Sequence, residues 1–165
     1  MTGKITKIIT CLKTIQWNCR RFGAPENVDD ETGYRRNHKK SKAGIKKTIK
    51  PNSNTQQNVS LFAQFLKEVK VHVILLQSVE LPLSCMPKFP GFTLTNYGKR
   101  FNCNLVSTAI YTDNRLRAST IKSPIPRTNG ASSCGCKVEL QNKKSFQFIS
   151  AYFPHGSKDI NLNFF

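Results

Sequence analysis

The chain has 165 residues, about one domain's worth, and carries 26 Lys plus Arg against 9 Asp plus Glu, a formal net charge of +17. Apolar residues make up 38% of it, with 11 Phe and a single Trp, which is too apolar for a wholly disordered chain. The longest strictly apolar stretch, Val73 to Leu76, excludes a transmembrane helix of about 20 residues, and the cationic surplus predicts polyanionic partners, nucleic acid ahead of anionic membrane.

At the N-terminus, Ile8 to Leu12 is apolar but broken by Thr10. That is too short for a secretory core of about 7–15 residues. An intracellular protein with no membrane partner is therefore expected, its cysteines reduced. These are Cys11, Cys19, Cys85, Cys103, Cys134 and Cys136. The one tight pair, Cys134-Gly135-Cys136, lacks the two-residue spacer of zinc knuckles, and His38, His72 and His155 are scattered, so a zinc site is not expected.

Along the chain, Thr14 to Asn18 reads as a short strand with Ile15 and Trp17 on one face. Gly23 to Asn58 reads as a mobile surface insertion. Its centre holds Arg35, Arg36, Lys39, Lys40, Lys42, Lys46, Lys47 and Lys50, and Pro51 to Asn58 forms a polar linker. Ser60 is placed to cap a helix whose apolar positions Leu61, Phe62, Phe65, Leu66 and Val69 follow helical spacing. Val71 to Gln77 then reads as a strand buried on both faces. Strand, helix and strand at this spacing make a βαβ unit with a right-handed crossover. Downstream, strands are expected over Phe92–Tyr97, Ser107–Tyr111, Leu116–Ile121, Cys136–Leu140 and Phe146–Ala151. Gln141 to Lys144 is read as the loop of a hairpin between the last two. The class is α/β with a largely antiparallel tail. The chain divides into residues 1–22 (N-terminal segment and first strand), 23–58 (basic flexible insertion) and 59–165 (the remainder of the domain).

Four segments, in this order, resemble one superfamily: Ile15-Gln16-Trp17-Asn18-Cys19-Arg20, Val73-Ile74-Leu75-Leu76-Gln77, Ser107-Thr108-Ala109-Ile110-Tyr111, and Ile149-Ser150-Ala151-Tyr152-Phe153-Pro154. They look like the endonuclease/exonuclease/phosphatase fold, and most like the N-terminal half of the endonuclease domain of LINE-type (non-LTR) retrotransposons. The resemblance implies a partial two-sheet sandwich, its first half being a mixed sheet with one principal helix. It also implies Mg²⁺-dependent hydrolysis of DNA phosphodiesters. Asn18 matches the family's Asn at the end of the first strand, and Tyr152 the Tyr whose hydroxyl approaches the scissile phosphate.

Two departures weigh against activity. After Leu76-Gln77 the family places its metal-binding Glu, where this chain has Ser78, and a neutral hydroxyl is a poor sole anchor for Mg²⁺. Glu80 lies two residues on, roughly 6–7 Å further along a regular strand, so it can stand in only through a bulge or register shift. The family's later half supplies an Asp-x-Asn segment and an Asp-His pair, whereas eleven residues follow Pro154 here. His155 and Asp159-Ile160-Asn161 are poor substitutes. The resemblance further implies two sheets contributed largely by different halves of the chain, leaving a face with Ile110, Val138, Phe146 and Phe148 partly uncovered and prone to self-association.

The basic run reads either as a nucleic-acid contact or as a nuclear localisation signal, besides an idle solvated insertion. Arg20, Arg21, Lys99 and Arg100 flank the motif strands, and with Arg35, Arg36, Lys39, Lys40, Lys46 and Lys47 they form the candidate nucleic-acid contacts. The leading expectation is an endonuclease-like chain that is inactive as it stands. The alternative is a non-catalytic basic nucleic-acid-binding protein that keeps the half-fold. A phosphatase or deadenylase of the same superfamily is the weaker third reading.

Overall fold

The structure is a computed structural model that describes residues 9, 11–19, 53–100, 104–123, 125 and 131–153. Its elements run β1 (Thr14–Asn18), α1 (Ser53–Val69), β2 (Val73–Pro82), a 3₁₀ turn (Leu83–Cys85), β3 (Phe92–Lys99), β4 (Leu105–Asp113), β5 (Arg117–Ile121), β6 (Ser132–Glu139) and β7 (Ser145–Tyr152). The protein is thus α/β, with one helix and two sheets among the described residues.

The first sheet has the order β1-β2-β4-β3 and the second β5-β6-β7. In the first, β1 lies parallel to β2, with Asn18 opposite Gln77, while β4 runs antiparallel to both β2 and β3. The second sheet is wholly antiparallel.

Helix α1 begins earlier than its apolar pattern shows. Ser53 to Asn58, read from sequence as linker, is helical, and Ser60 lies inside the helix instead of capping it. These residues carry no apolar periodicity, and Gln56, Gln57 and Asn58 are exposed. Further along, Phe62 and Leu66 are buried against Ile74, Leu76, Ala109 and Tyr111 of the first sheet. A chain of aromatic rings fixes this contact: Trp17 to Phe62 at 4.0 Å between centroids, Phe62 to Phe89 at 5.5 Å, and Phe89 to Tyr111 at 5.0 Å.

The other face of the first sheet packs on the second. Val73 and Ile110 meet Cys134, Cys136 and Val138 there, all almost fully buried. This corrects the expectation of an uncovered face. The chain contributes to both sheets, so Ile110 and Val138 cover one another. Phe148 is partly buried against the same cluster, and only Phe146, at 43% exposure, remains open to solvent. What the second sheet leaves bare is β1, whose Thr14, Gln16 and Asn18 are exposed.

The remaining strands fall close to their expected places, and β6 starts four residues early, at Ser132. The β6–β7 loop closes as a hairpin, with the Leu140 N–H donating to the Lys144 carbonyl at 2.8 Å and Lys143 in the left-handed region at φ 64°.

Candidate functional site

Parallel pairing carries β1 and β2 to the same end of the sandwich. Because paired residues in adjacent strands share a face, Asn18 and Gln77 stand side by side on the face turned towards the second sheet. The ladder continues one step further, the Cys19 N–H donating to the Gln77 carbonyl at 2.8 Å. Strand β7 ends over the same point. The Gln77 Nε2 donates to the Ala151 carbonyl at 2.7 Å, and the Ser150 hydroxyl donates to the Leu76 carbonyl at 3.0 Å. Tyr152, the next residue, is half-buried beside this junction. Three of the four motif segments therefore converge through the backbone and amide contacts of Gln77, a residue the sequence marked only as part of its strand.

The β2 strand does not continue regularly past Gln77. Gln77 pairs with Thr108 and Leu81 with Val106, so three residues of β2 stand against one of β4. Within this bulge Ser78 and Glu80 both adopt left-handed backbone, each at φ 53°, a conformation costing roughly 1–2 kcal/mol per non-glycine residue. Buried Val79 holds the bulge to the helix-side core. Bulges of this kind bend a strand and re-aim its side chains. Here the carboxylate of Glu80 accepts a hydrogen bond from the Ser107 hydroxyl at 3.0 Å and lies 3.8 Å from the Arg100 guanidinium.

The bulge that Glu80 required is thus present, yet it delivers the carboxylate to β4 and the end of β3. Asn18 lies on the opposite side of β2, since β1 and β4 flank that strand. Ser78, where the resemblance leads one to expect a metal-binding Glu, is buried.

Lys99 closes β3 and Arg100 follows it, the Arg100 N–H donating to the Leu105 carbonyl at 3.1 Å. The Lys99 ammonium lies 6.0 Å from the Tyr97 ring centroid. Both cations sit at the same end of the sandwich as Asn18 and Tyr152. Arg20, Arg21, Arg35, Arg36, Lys39, Lys40, Lys46 and Lys47 lie outside the described residues, as do His155, Asp159 and Asn161.

Of the four described carboxylates, Glu68, Glu80, Asp113 and Glu139, only Glu80 is at this end, and among the described residues no three His, Cys, Asp or Glu side chains group to hold a metal ion. One carboxylate already engaged by Ser107 and Arg100 does not fit a Mg²⁺ ion, which takes carboxylate and phosphate oxygens. Cys19, next to Asn18, supplies no nucleophile, because burial pushes its thiol up to about 12, and the neutral thiol is unreactive.

A cleft of about 750 Å³ opens at the far end of the sandwich, against Lys13, Lys67, Lys70, His72 and Arg115. It lies at the opposite end from Asn18, Gln77 and Tyr152. Arg115 grips Asp113 there through Nε, at 2.9 and 3.1 Å from the two carboxylate oxygens.

The fold and site define an α/β two-sheet protein whose parallel strands end in a polar, cation-flanked junction. No family model matches the chain, and no curated protein matches it. No helix among the described residues is long and apolar enough to cross a membrane.

Proposed function

We propose that this chain is derived from a Mg²⁺-dependent DNA endonuclease of the endonuclease/exonuclease/phosphatase fold, most like the LINE-type enzymes, and that as it stands it binds nucleic acid without cleaving it. The observation that carries this reading is the convergence of Asn18, Gln77 and Tyr152 at one end of the sandwich, with Lys99 and Arg100 at the same end but across β2 and β4 from Asn18. A phosphodiester laid across that end would meet an amide, a phenol and two cations. It would meet no carboxylate free to place a metal, because Ser78 holds the usual ligand position and Glu80 is turned to Ser107 and Arg100. The net charge of +17 supports a salt-sensitive, sequence-independent contribution to binding. The run from Arg35 to Lys50 suits a nuclear address in an intracellular protein as well as phosphate contact.

Relaxation of supercoiled plasmid, with and without Mg²⁺, tests the catalytic half of the reading. No metal-dependent nicking is expected, and nicking that disappears in Asn18→Ala would overturn the claim of inactivity. A fluorescence titration against duplex DNA tests the other half. Affinity should fall steeply with salt, by about 10³-fold or more between 50 and 200 mM if six or more phosphates are contacted; a flat response removes the nucleic-acid reading.

A further inference from the structure

We propose that the cleft at the end of the sandwich opposite Asn18 and Tyr152 binds a nucleoside polyphosphate, its phosphates among Lys13, Lys67 and Lys70 and its base on an apolar floor. The inference is independent of the endonuclease-derived reading, whose residues lie at the other end. At about 750 Å³ the cleft falls in the range of small-molecule sites, about 300–1,000 Å³. Five stretches of chain enclose it: the residues before β1, the last turns of α1, the α1–β2 turn, the start of β3 and the β4–β5 turn. Leu66, Val71 and Phe89, all buried, form the floor, with Phe92 beside them.

The polar groups around that floor are almost all donors. Among the described residues no carboxylate forms an ion pair with Lys13, Lys67 or Lys70. The His72 Nδ1 accepts from the Lys13 N–H at 3.0 Å, so the proton of the neutral ring sits on Nε2 and that edge donates. The Asn114 side-chain oxygen accepts from the Thr93 hydroxyl at 2.6 Å, which leaves its amide nitrogen as a donor at the rim. Asp113 is the single carboxylate lining the cleft, and Arg115 closes it off. The Arg115 Nε lies 2.9 and 3.1 Å from its two oxygens and the Arg115 backbone N–H 2.9 Å from one of them. That pair is neutral, so three ammonium groups remain for a ligand. Three match a polyphosphate better than a single carboxylate. The floor offers apolar contact that a bare phosphate cannot use and a flat aromatic base can.

Lys70 contributes a further observation. It directly follows α1 with φ 48°, the left-handed conformation in which glycine is the usual residue at a helix end. A lysine there strains the backbone, and the cleft gains an ammonium. Lysines at the end of a helix also complement its dipole, a role that needs no ligand. The partial charge of a helix C-terminus is only about −0.5, however, so three ammonium groups leave the cleft strongly positive.

Isothermal titration calorimetry of the full chain with ATP, in EDTA and about 150 mM salt, tests the site. One ATP per chain is expected, with tripolyphosphate and adenosine each binding at least about tenfold more weakly. Lys70→Gly and Lys67→Gln should each weaken ATP binding by at least about fivefold. Neither should unfold the protein in a thermal melt, because glycine suits the left-handed position and glutamine matches lysine in helix propensity. Lys122→Gln removes the same charge from an exposed position outside the cleft and should leave affinity within about twofold. A chain that binds no ATP overturns the proposal. So do equal losses in all three variants, the mark of attraction to net charge alone. Tripolyphosphate binding as tightly as ATP would remove the base from the site. A lower Tm for Lys67→Gln with unchanged ATP affinity would leave that lysine to the helix end and likewise overturn the assignment.

Discussion

Gly98 marks where β3 lies against the backbone of β6. A Cβ there would sit 2.5 Å from the Ser133 carbonyl oxygen, 2.5 Å from the Thr108 hydroxyl and 2.7 Å from that of Ser132. The carbonyl cannot rotate away without breaking the β6 ladder, so Gly98→Ala should destabilise the protein by about 1–3 kcal/mol, measured by urea unfolding; a neutral result would mean the sheets slide apart freely. Glu80 poses a different question at the same end. Its carboxylate is shielded from solvent and bonded to Ser107, so a double-mutant cycle of Glu80→Gln and Ser107→Ala should return a coupling of about 1–3 kcal/mol. Additive losses would show that the hydroxyl contributes nothing to the bulge. Sequence alone placed a serine where a metal-binding carboxylate is expected and named the bulge as the condition for rescue by Glu80. It could not show where the bulge would aim, because that depends on Ser107 and Arg100, which lie 27 and 20 residues further along the chain.

Helix α1 was legible through its second half, where Phe62 and Leu66 recur at helical spacing against the first sheet, and illegible through its first turns, whose polar sequence carries no period and where Gln56, Gln57 and Asn58 are exposed. Its hold on the sheet is aromatic. Trp17 is the only tryptophan and packs against Phe62 with its ring tilted by 36°, so its emission reports helix docking. Phe62→Ala should cost about 3–5 kcal/mol and move that emission to the red; an unshifted spectrum would show that Trp17 stays covered without the helix. The turn from α1 into β2 holds His72, whose Nδ1 accepts a hydrogen bond from the Lys13 N–H at 3.0 Å. Burial lowers its pKa, nearby Arg115 and Lys13 lower it further, and Asp113 opposes them. The folded state therefore favours the neutral ring. As pH falls the unfolded chain takes up the proton first, so the stabilisation is complete above the unfolded value near 6.5 and is lost below it. Burial tends to raise Asp113, but its bonds to Arg115 hold it below the usual carboxylate range, so its contribution is lost only in a separate, more acid window. His72→Gln should flatten the decline in stability from about pH 7 to about pH 5, followed by urea midpoints; an unchanged slope would assign that decline to other groups.

At the scale of the whole molecule, the sequence conveyed the strands better than their partnership. The apolar alternation of β4, β6 and β7 says that each has a buried face, and nothing in it says that Ile110 and Val138 bury each other. That pairing depends on the β5-β6-β7 meander folding back over β2, β3 and β4, which the polar contacts Gln77–Ala151, Asn96–Gly135 and Thr108–Ser132 fix together with the apolar cluster around Val73 and Ile110. Charge, by contrast, was fully readable from composition, and it acts on the folded chain as a whole. A surplus of 17 positive charges repels itself, and a bound polyanion relieves the repulsion only in the state that presents an organised surface. Duplex DNA at about 100 times its dissociation constant should add about 2.7 kcal/mol of stability, which raises the Tm of a domain of this size by about 5–10 °C. The shift should shrink towards zero as salt releases the DNA, while the free protein's own Tm rises with the same salt through screening. A thermal melt monitored by Trp17 fluorescence reads both trends at once. If DNA left the Tm unchanged at low salt, or lowered it by binding the unfolded chain more tightly, the cationic surplus would belong to the unfolded ensemble and not to a folded binding surface.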